Sequence, residues 1–224
     1  MAYADIDATH LYLGAIVTIY SRQLRLVEYG DAFTRNMFAK AKESTFALIK
    51  PDAYVHTGKI IDAIYKNGFI IKRLNMGKFT AATTARFLAA NDQKSEEASQ
   101  HLLSDVSTGM EIVADNAHEK AQALAQDLQR QFGVQGSSVK NAFHASASAD
   151  SKRADLETFF ESGEITTSAL FTNCTCVVIK PHVVAAGQAG EVINTILEEH
   201  NLRRVKMTNN FILVSFFSSN NLKV

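Results

Sequence analysis

A unit of secondary structure occurs twice in this chain. In the first copy an apolar run of strand length, Phe46–Ile49, ends at Lys50, and Pro51 stops it because proline cannot continue a strand ladder. Apolar residues at helical spacing follow, and residues 69–74 are then predicted to form a second strand. The second copy opens at Thr175–His182 with another run that ends in Lys-Pro, and it repeats the helix and the strand. Such a long match is not expected by chance, so we predict a tandem α+β protein.

Further elements are predicted between and within the two copies. Thr57 is expected to cap the first helix, and Gly68 to end it. The elements predicted after this helix are a helix from Thr80 to Ala90, a helix from Glu96 to Val106, a strand over Met110–Ala114, a long helix from Asn116 to Gly133, and a last helix capped by Ser146 or Ser148.

Both ends of the chain carry β patterns that need a neighbour. Residues 11–29 alternate well enough for two strands around a turn at Ser21–Gln23, but two strands alone are marginal. Residues 31–43 are interpreted as a helical or loose linker. Near the other end, Phe211–Phe217 is uncharged and must be covered, either by the first copy or by a partner.

Composition limits the function classes. Lys+Arg and Asp+Glu both number 23, so no overall field favours nucleic acid or an anionic membrane. Cys174 and Cys176 are the only cysteines and match no zinc pattern, which favours a reducing compartment. Leu11–Tyr20 is too short to span a bilayer and lacks a basic region before it. We therefore expect a cytosolic protein.

Two motifs carry a resemblance to a known family. Phe46–Asp52, followed by a helix and later by Asn141–Ser148, resembles the nucleoside diphosphate kinases. The Asn-x-x-His-Gly-Ser-x-Ser motif of that family matches at Asn141, His144, Ser146 and Ser148. The resemblance implies a ferredoxin-like α+β fold with a four-stranded antiparallel sheet over residues 44–165, and an incomplete second kinase-like domain over 166–224.

The order of units resembles one branch of that family. Residues 17–31 are similar to the end of a DM10 domain, which implies a partial β domain over 1–31 and a linker over 32–43. A DM10 domain followed by two kinase-like units is the arrangement of the homologue-seven branch.

The resemblance also implies roles for five residues. His144 would accept the γ-phosphoryl group of ATP and pass it to a nucleoside diphosphate, since a neutral imidazole is a usable nucleophile near pH 7. Lys50 and a bridging Mg²⁺ would stabilise the transferred charge, and Asn141 would hydrogen-bond the sugar. Ser146 and Asp155 would orient the ring nitrogen opposite the attacking one. No protein-bound metal is expected, and ATP with Mg²⁺ is needed only if the site is active.

Several positions depart from the family pattern. The family holds the base between aromatic side chains, but residues 86–98 contain no aromatic pair. The long loop that brings an arginine and a threonine to the phosphates is absent, and a further arginine falls near Gln129. Ala145 replaces the glycine after the histidine, and in the second copy His182 replaces the acidic residue after Lys-Pro. The second copy also ends before a nucleophilic histidine, so it cannot form a complete site.

Two functions therefore stay open. The resemblance to the homologue-seven branch implies one of them, a structural protein of the ciliary axoneme that lies inside doublet microtubules, with tubulin, other inner proteins and the γ-tubulin complex as partners. The other is a nucleoside diphosphate kinase, weakened or intact, that works through His144. The basic pairs Lys72-Arg73 and Arg203-Arg204 are interpreted as solvated strand ends or as contacts to an acidic polymer. Because the Lys-Pro pair recurs at Lys180, Lys50 also has a structural interpretation.

Overall fold

The computed structural model describes residues 16–19, 22–28, 30–31, 43–93, 95–167, 174–199, 204–208 and 211–215. Its contacts divide the chain into two compact units, Met1–Lys42 and Glu43–Val224. The expected linker lies almost wholly outside the described residues.

The first unit contains an antiparallel pair of short strands. Strands β1 (Ile16–Ile19) and β2 (Arg22–Arg25) pair with Ile19 opposite Arg22. The sequence placed a turn at Ser21–Gln23, which is wrong for Arg22 and Gln23, because both residues lie within β2. Two residues therefore separate β1 from β2 in the sequence.

The second unit holds the remaining elements. Its strands are β3 (Glu43–Ile49), β4 (Ile70–Gly77), β5 (Ser107–Ala114), β6 (Phe143–Ala145), β7 (Cys174–Val177), β8 (Arg204–Thr208) and β9 (Phe211–Ser215). Its helices are α1 (Thr57–Lys66), α2 (Ala81–Ala90), α3 (Glu96–Ser104), α4 (Ala117–Phe132), α5 (Ala149–Leu156), α6 (Pro181–Ala185) and α7 (Ala189–Glu199). A 3₁₀ helix, Pro51–His56, precedes α1, and a π turn, Glu157–Glu161, extends α5.

All these strands lie in one seven-stranded sheet with the order β6-β3-β5-β4-β8-β9-β7. The first four strands of this order pair antiparallel with their neighbours. Together with their helices they form the predicted ferredoxin-like α+β fold, which is confirmed.

The second copy continues the sheet of the first. Asn75 in β4 pairs with Thr208 in β8, and β9 then pairs antiparallel with both β8 and β7. In the first copy β5 occupies the corresponding place between β4 and β3, after the two helices α2 and α3. The second copy reaches the same position from Thr208 to Phe211, with two residues between the strands. The Phe211–Ser215 backbone is thus paired on both sides within the chain.

Both faces of the sheet are buried, which explains the apolar run in β3. Ala47 and Ile49 point into a core with α1 and α4. Phe46 and Leu48 point into a second core on the other face, with α2, α3 and the π turn. Side chains alternate between faces along a strand, so residues next to one another in β3 serve different cores.

Some local predictions are confirmed and others are wrong. Gly68 ends α1 with a φ of 78°, and the Ser148 hydroxyl caps α5 by accepting from the backbone N–H of Ser151, both as predicted. Thr57 is not the cap but the first residue of α1, where its hydroxyl donates to the carbonyl of Tyr54. Asn116 precedes α4 in a left-handed conformation and makes no side-chain cap bond.

Strand β5 begins three residues before the predicted start at Met110, because Ser107, Thr108 and Gly109 are also part of the strand. None of the helices in the described part of the chain is both long and apolar enough to cross a membrane.

Candidate functional site

His144 lies in the middle of β6, opposite Leu48 of β3. Its neighbours Phe143 and Ala145 belong to the core beneath α1 and α4, so alternation directs the imidazole to the opposite face. There the ring meets Phe87 edge to face, with ring centres 5.0 Å apart. Nε2 lies 3.4 Å from Oδ2 of Asp155, and the side chain is 11% exposed. The arrangement leaves Nδ1 as the ring nitrogen on the side away from the carboxylate.

Asp155 is fully buried and accepts two short hydrogen bonds. The Ser146 hydroxyl donates to Oδ2 at 2.6 Å, and the Asn91 amide donates to Oδ1 at 2.8 Å. The longer distance to His144 exceeds the usual range for a hydrogen bond, so the short bonds fix the carboxylate and the carboxylate faces the ring. The structure thus brings together the predicted trio of His144, Ser146 and Asp155.

Asn91 belongs to the same cluster, and the sequence did not indicate it. The residue follows the end of α2, and its amide also donates to the carbonyl of Phe87 at 2.9 Å. An asparagine at a helix end is usually assigned to capping, and its second bond joins residues 64 positions apart. No local pattern could have shown that contact.

Lys50 lies at the end of β3 and is only 4% exposed. Its ammonium group donates to the carbonyl of Val139 at 3.2 Å. Burial lowers the pKa of the amine to about 8, although the negative charge of Asp52 raises it. In the second copy the matching Lys180 is exposed, so the two Lys-Pro pairs have different surroundings.

Asn141 opens the motif that contains His144, and its side chain carries a buried, unpaired acceptor. Its Oδ1 has no hydrogen-bond partner in the described part of the chain. A buried acceptor of this kind costs about 1–3 kcal/mol, so native proteins usually satisfy it. The hydroxyl of a sugar would supply a donor, which fits the predicted role of this side chain.

The residue after Asn141 has a left-handed backbone conformation and bonds to one of two buried side chains that contact each other. Ala142 has a φ of 66°, and its N–H donates to Oδ2 of Asp52 at 2.8 Å. His101 of α3 lies 2.9 Å from the other oxygen of Asp52, and both side chains are 6% exposed. Burial opposes the charge of Asp52, but the hydrogen bonds from His101 and Ala142 outweigh it and lower the pKa of this carboxyl.

The region that would hold a nucleotide base offers no stacking surface. Phe87 is the only Phe, Tyr or Trp in the sequence of residues 81–104. It is 1% exposed and packs against Phe46, Phe79 and His144 in the core. Glu97, on the next helix, is exposed. The missing aromatic pair noted in the sequence is therefore not replaced by a side chain from elsewhere on α2 and α3.

The family's further arginine, whose position falls near Gln129, is not replaced by the neighbouring Arg130. Helix α4 continues unbroken to Phe132, and Arg130 bonds with Asp127 and the carbonyl of Gln126 on its own helix. The basic pair on β4 also bonds within the chain. Lys72 and Arg73 both form salt bridges with Glu111, which is 3% exposed.

Burial opposes the charge of Glu111, but hydrogen bonds from Arg73 and Lys72 outweigh it and lower the pKa of the carboxyl. Among the described residues, no group of three or more His, Cys, Asp or Glu side chains could hold a metal ion.

A cavity of about 560 Å³ lies elsewhere, between α1 and α7. Residues of both copies line it, including Lys59, Asp62, Gly187 and Glu191. Helix α1 packs on the sheet face opposite His144, so this cavity is separate from the histidine cluster.

Comparison with known proteins identifies the family. The sequence profile of the family described as "Nucleoside diphosphate kinase" matches residues 43–165, which is more than half of the chain. The nucleoside diphosphate kinase of Aquifex aeolicus is 30% identical over 144 residues, which cover 56% of this chain and 99% of that protein. The chain belongs to the nucleoside diphosphate kinase family.

Within the family, the chain is a homologue of proteins named "Nucleoside diphosphate kinase homolog 7". The Rattus norvegicus and Mus musculus proteins are 34% and 35% identical to it over 213 residues, or 87% of the chain. These matches cover 53% of each relative, so the chain spans about half the length of these relatives.

Proposed function

We propose that this chain is a structural component of the ciliary or flagellar axoneme, built on a nucleoside diphosphate kinase fold with a degenerate nucleotide site. Its partners in this proposal are tubulin and other proteins inside doublet microtubules, and the γ-tubulin complex is a second assembly to test. Neither nucleic acid nor a membrane takes part, and the chain resides in the cytoskeleton.

The position of Phe87 is the observation that supports this proposal most directly. This ring is the only Phe, Tyr or Trp side chain on α2 and α3, and it is buried in the core against Phe46 and Phe79. A nucleotide base would therefore meet no aromatic face from this hairpin. Stacking on an aromatic ring is worth about 1–3 kcal/mol per base, so its loss weakens nucleotide binding about tenfold or more.

The test compares assembly with catalysis in one protein. The tagged chain and its His144→Ala variant are expressed in multiciliated cells, and the axonemes are extracted with detergent and then with salt. We expect both proteins to remain with the doublets after detergent treatment. The proposal is wrong if the chain is released with the soluble fraction while the tubulin signal is unchanged.

A second candidate is phosphoryl transfer through His144, and the geometry of Asp155 favours it. The carboxylate is fixed by Ser146 and Asn91 and faces Nε2 of the ring. In this candidate Nδ1 attacks the γ-phosphorus of ATP bound with Mg²⁺, a P–N bond forms, and the P–O bond to ADP breaks. A nucleoside diphosphate oxygen then takes the phosphoryl group and frees the histidine.

This candidate is tested with γ-labelled ATP and Mg²⁺, with His144→Ala as the control. An acid-labile label that requires His144 and leaves when a nucleoside diphosphate is added would establish the kinase reaction. Absence of label on a folded, soluble chain would remove this candidate and leave the structural role unaffected.

A further inference from the structure

We propose that the buried pair of His101 and Asp52 positions the His144 strand by holding Ala142 in its left-handed conformation. The proposal concerns the conformation of residues 139–145, so it holds whether or not His144 is phosphorylated.

The pair connects elements that are far apart in the sequence. His101 comes from the last turn of α3, and Asp52 comes from the 3₁₀ helix after β3. Nε2 of His101 and Oδ1 of Asp52 are 2.9 Å apart, and both side chains are 94% buried. An ionised carboxylate can only accept, so Nε2 of His101 carries a proton and donates it to Oδ1.

The other carboxylate oxygen holds the backbone of the site. It accepts from the N–H of Ala142 at 2.8 Å, and the carbonyl of Ala142 accepts from the backbone N–H of Lys50 at 2.9 Å. The backbone N–H and carbonyl of Ala142 are therefore both hydrogen-bonded, to Asp52 and Lys50, which lie directly after β3.

The held residue needs such support. Ala142 has a φ of 66°, and a non-glycine residue in this conformation costs about 1–3 kcal/mol and persists only where its surroundings enforce it. The residue is fully buried, so it cannot relax outward. Asn141 and His144 lie one residue before and two residues after it, so a change at Ala142 would redirect both side chains.

His101 acts through Asp52 and touches neither Asn141 nor His144 in these contacts, so we classify it as a positioning residue. Without its donor, the buried carboxylate loses its side-chain hydrogen bond and keeps only its bonds to backbone N–H groups. The lower-energy response is for Asp52 to take up a proton or turn away, and either change weakens its bond to Ala142.

The test measures amide hydrogen exchange at Ala142 by NMR in the full chain. In His101→Leu we expect the Ala142 amide to exchange about tenfold faster or more, because a local bond to a charged group is lost. His101→Gln offers an N–H donor to the same carboxylate, so we expect it to restore most of the protection. Asp52→Ala removes the acceptor and serves as a second variant if His101→Leu does not fold.

Leu102→Ala is the matched control, because Leu102 is the next residue of α3 and is 2% exposed. It removes core packing but no contact to Asp52, so the Ala142 rate should follow global stability only. The rate of His144 modification by diethyl pyrocarbonate provides a second measurement, and it should rise in His101→Leu and recover in His101→Gln. The proposal is overturned if Ala142 exchanges at the wild-type rate in His101→Leu and Asp52→Ala, or if the Leu102→Ala rate rises as much at equal global stability.

Discussion

Keeping Lys50 charged in the folded chain is costly. Burial lowers the pKa of its amine from 10.5 to about 8, which corresponds to about 3 kcal/mol. Between these two values the unfolded chain binds more protons than the folded chain, so this group makes stability rise with pH. The whole penalty is present below about pH 8 and is relieved as the pH approaches 10.5. A residue kept at this cost is expected where a cation has a use, and its bond to Val139 alone does not offset the penalty.

The first prediction follows from this penalty. Lys50→Met should raise the free energy of unfolding at pH 7 by about 1–3 kcal/mol, because an uncharged side chain of similar length needs no hydration. The gain should shrink at about pH 9.5, where most of the wild-type amine in the folded chain is neutral. Urea unfolding at both pH values measures the difference. Lys180→Met, at the exposed lysine of the second copy, should change stability by less than about 0.5 kcal/mol, and a loss of stability in Lys50→Met at pH 7 would contradict the interpretation.

Asn91 gives the second prediction at this scale. Asn91→Ala removes a donor from the fully buried Asp155 carboxylate and should destabilise the chain by about 1.5–3 kcal/mol. Asn67→Ala is a close control, since Asn67 also follows a helix and donates to the carbonyl four residues before it, but on an exposed surface. It should cost about 0.5–1 kcal/mol. Equal losses in urea unfolding would mean that the bond to Asp155 contributes nothing.

Among the elements, α1 and α7 approach each other through glycines. A Cβ on Gly58 would lie 2.5 Å from the backbone nitrogen of Asn194, and a Cβ on Gly190 would lie 2.4 Å from that of Asp62. Both contacts are with backbone, so a rotamer change cannot relieve them. The two copies of the repeated unit are therefore packed helix to helix as closely as glycine allows.

The third prediction is that Gly58→Ala and Gly190→Ala each destabilise the chain by about 1–3 kcal/mol, although alanine is the better helix former. Thermal unfolding should show a lower midpoint for each variant. Gly30→Ala is the control, because a Cβ there meets nothing within 4 Å. If Gly58→Ala were as stable as Gly30→Ala, the close approach of the two helices would be wrong.

Elements were predictable from sequence where hydrophobic pattern and burial agree. Strand β3 and helix α4 were located because their buried residues form an apolar run and a stripe. The start of β5 was missed because Ser107 and Thr108 are polar, yet the strand is central and both are buried. The predicted site residues Lys50, His144, Ser146 and Asp155 came from the family motif. Asn91 and His101 could not be found, since their partners lie 64 and 49 residues away.

At the scale of the whole molecule, the sheet shows how the second copy packs on the first. Its strands continue the first sheet at β4, and β9 takes the place that β5 has in the first copy. The core around α1 also includes Ile193 of α7, so the two copies share buried surface. The second copy therefore covers the edge of β4 and one side of α1, both of which would otherwise be exposed. An exposed strand edge invites pairing with another chain.

The last prediction concerns this covered edge. A chain that ends at Thr167 would expose β4 and the Gly58 side of α1, and we expect it to self-associate. Light scattering coupled to size-exclusion chromatography should show a mass that rises with concentration, and urea unfolding should show a lower midpoint than that of the full chain at low concentration. The full chain is the reference for both measurements. A shortened chain that stays monomeric and is as stable as the full one would mean that the second copy contributes neither cover nor packing, and that the continuous sheet is not what holds the two copies together.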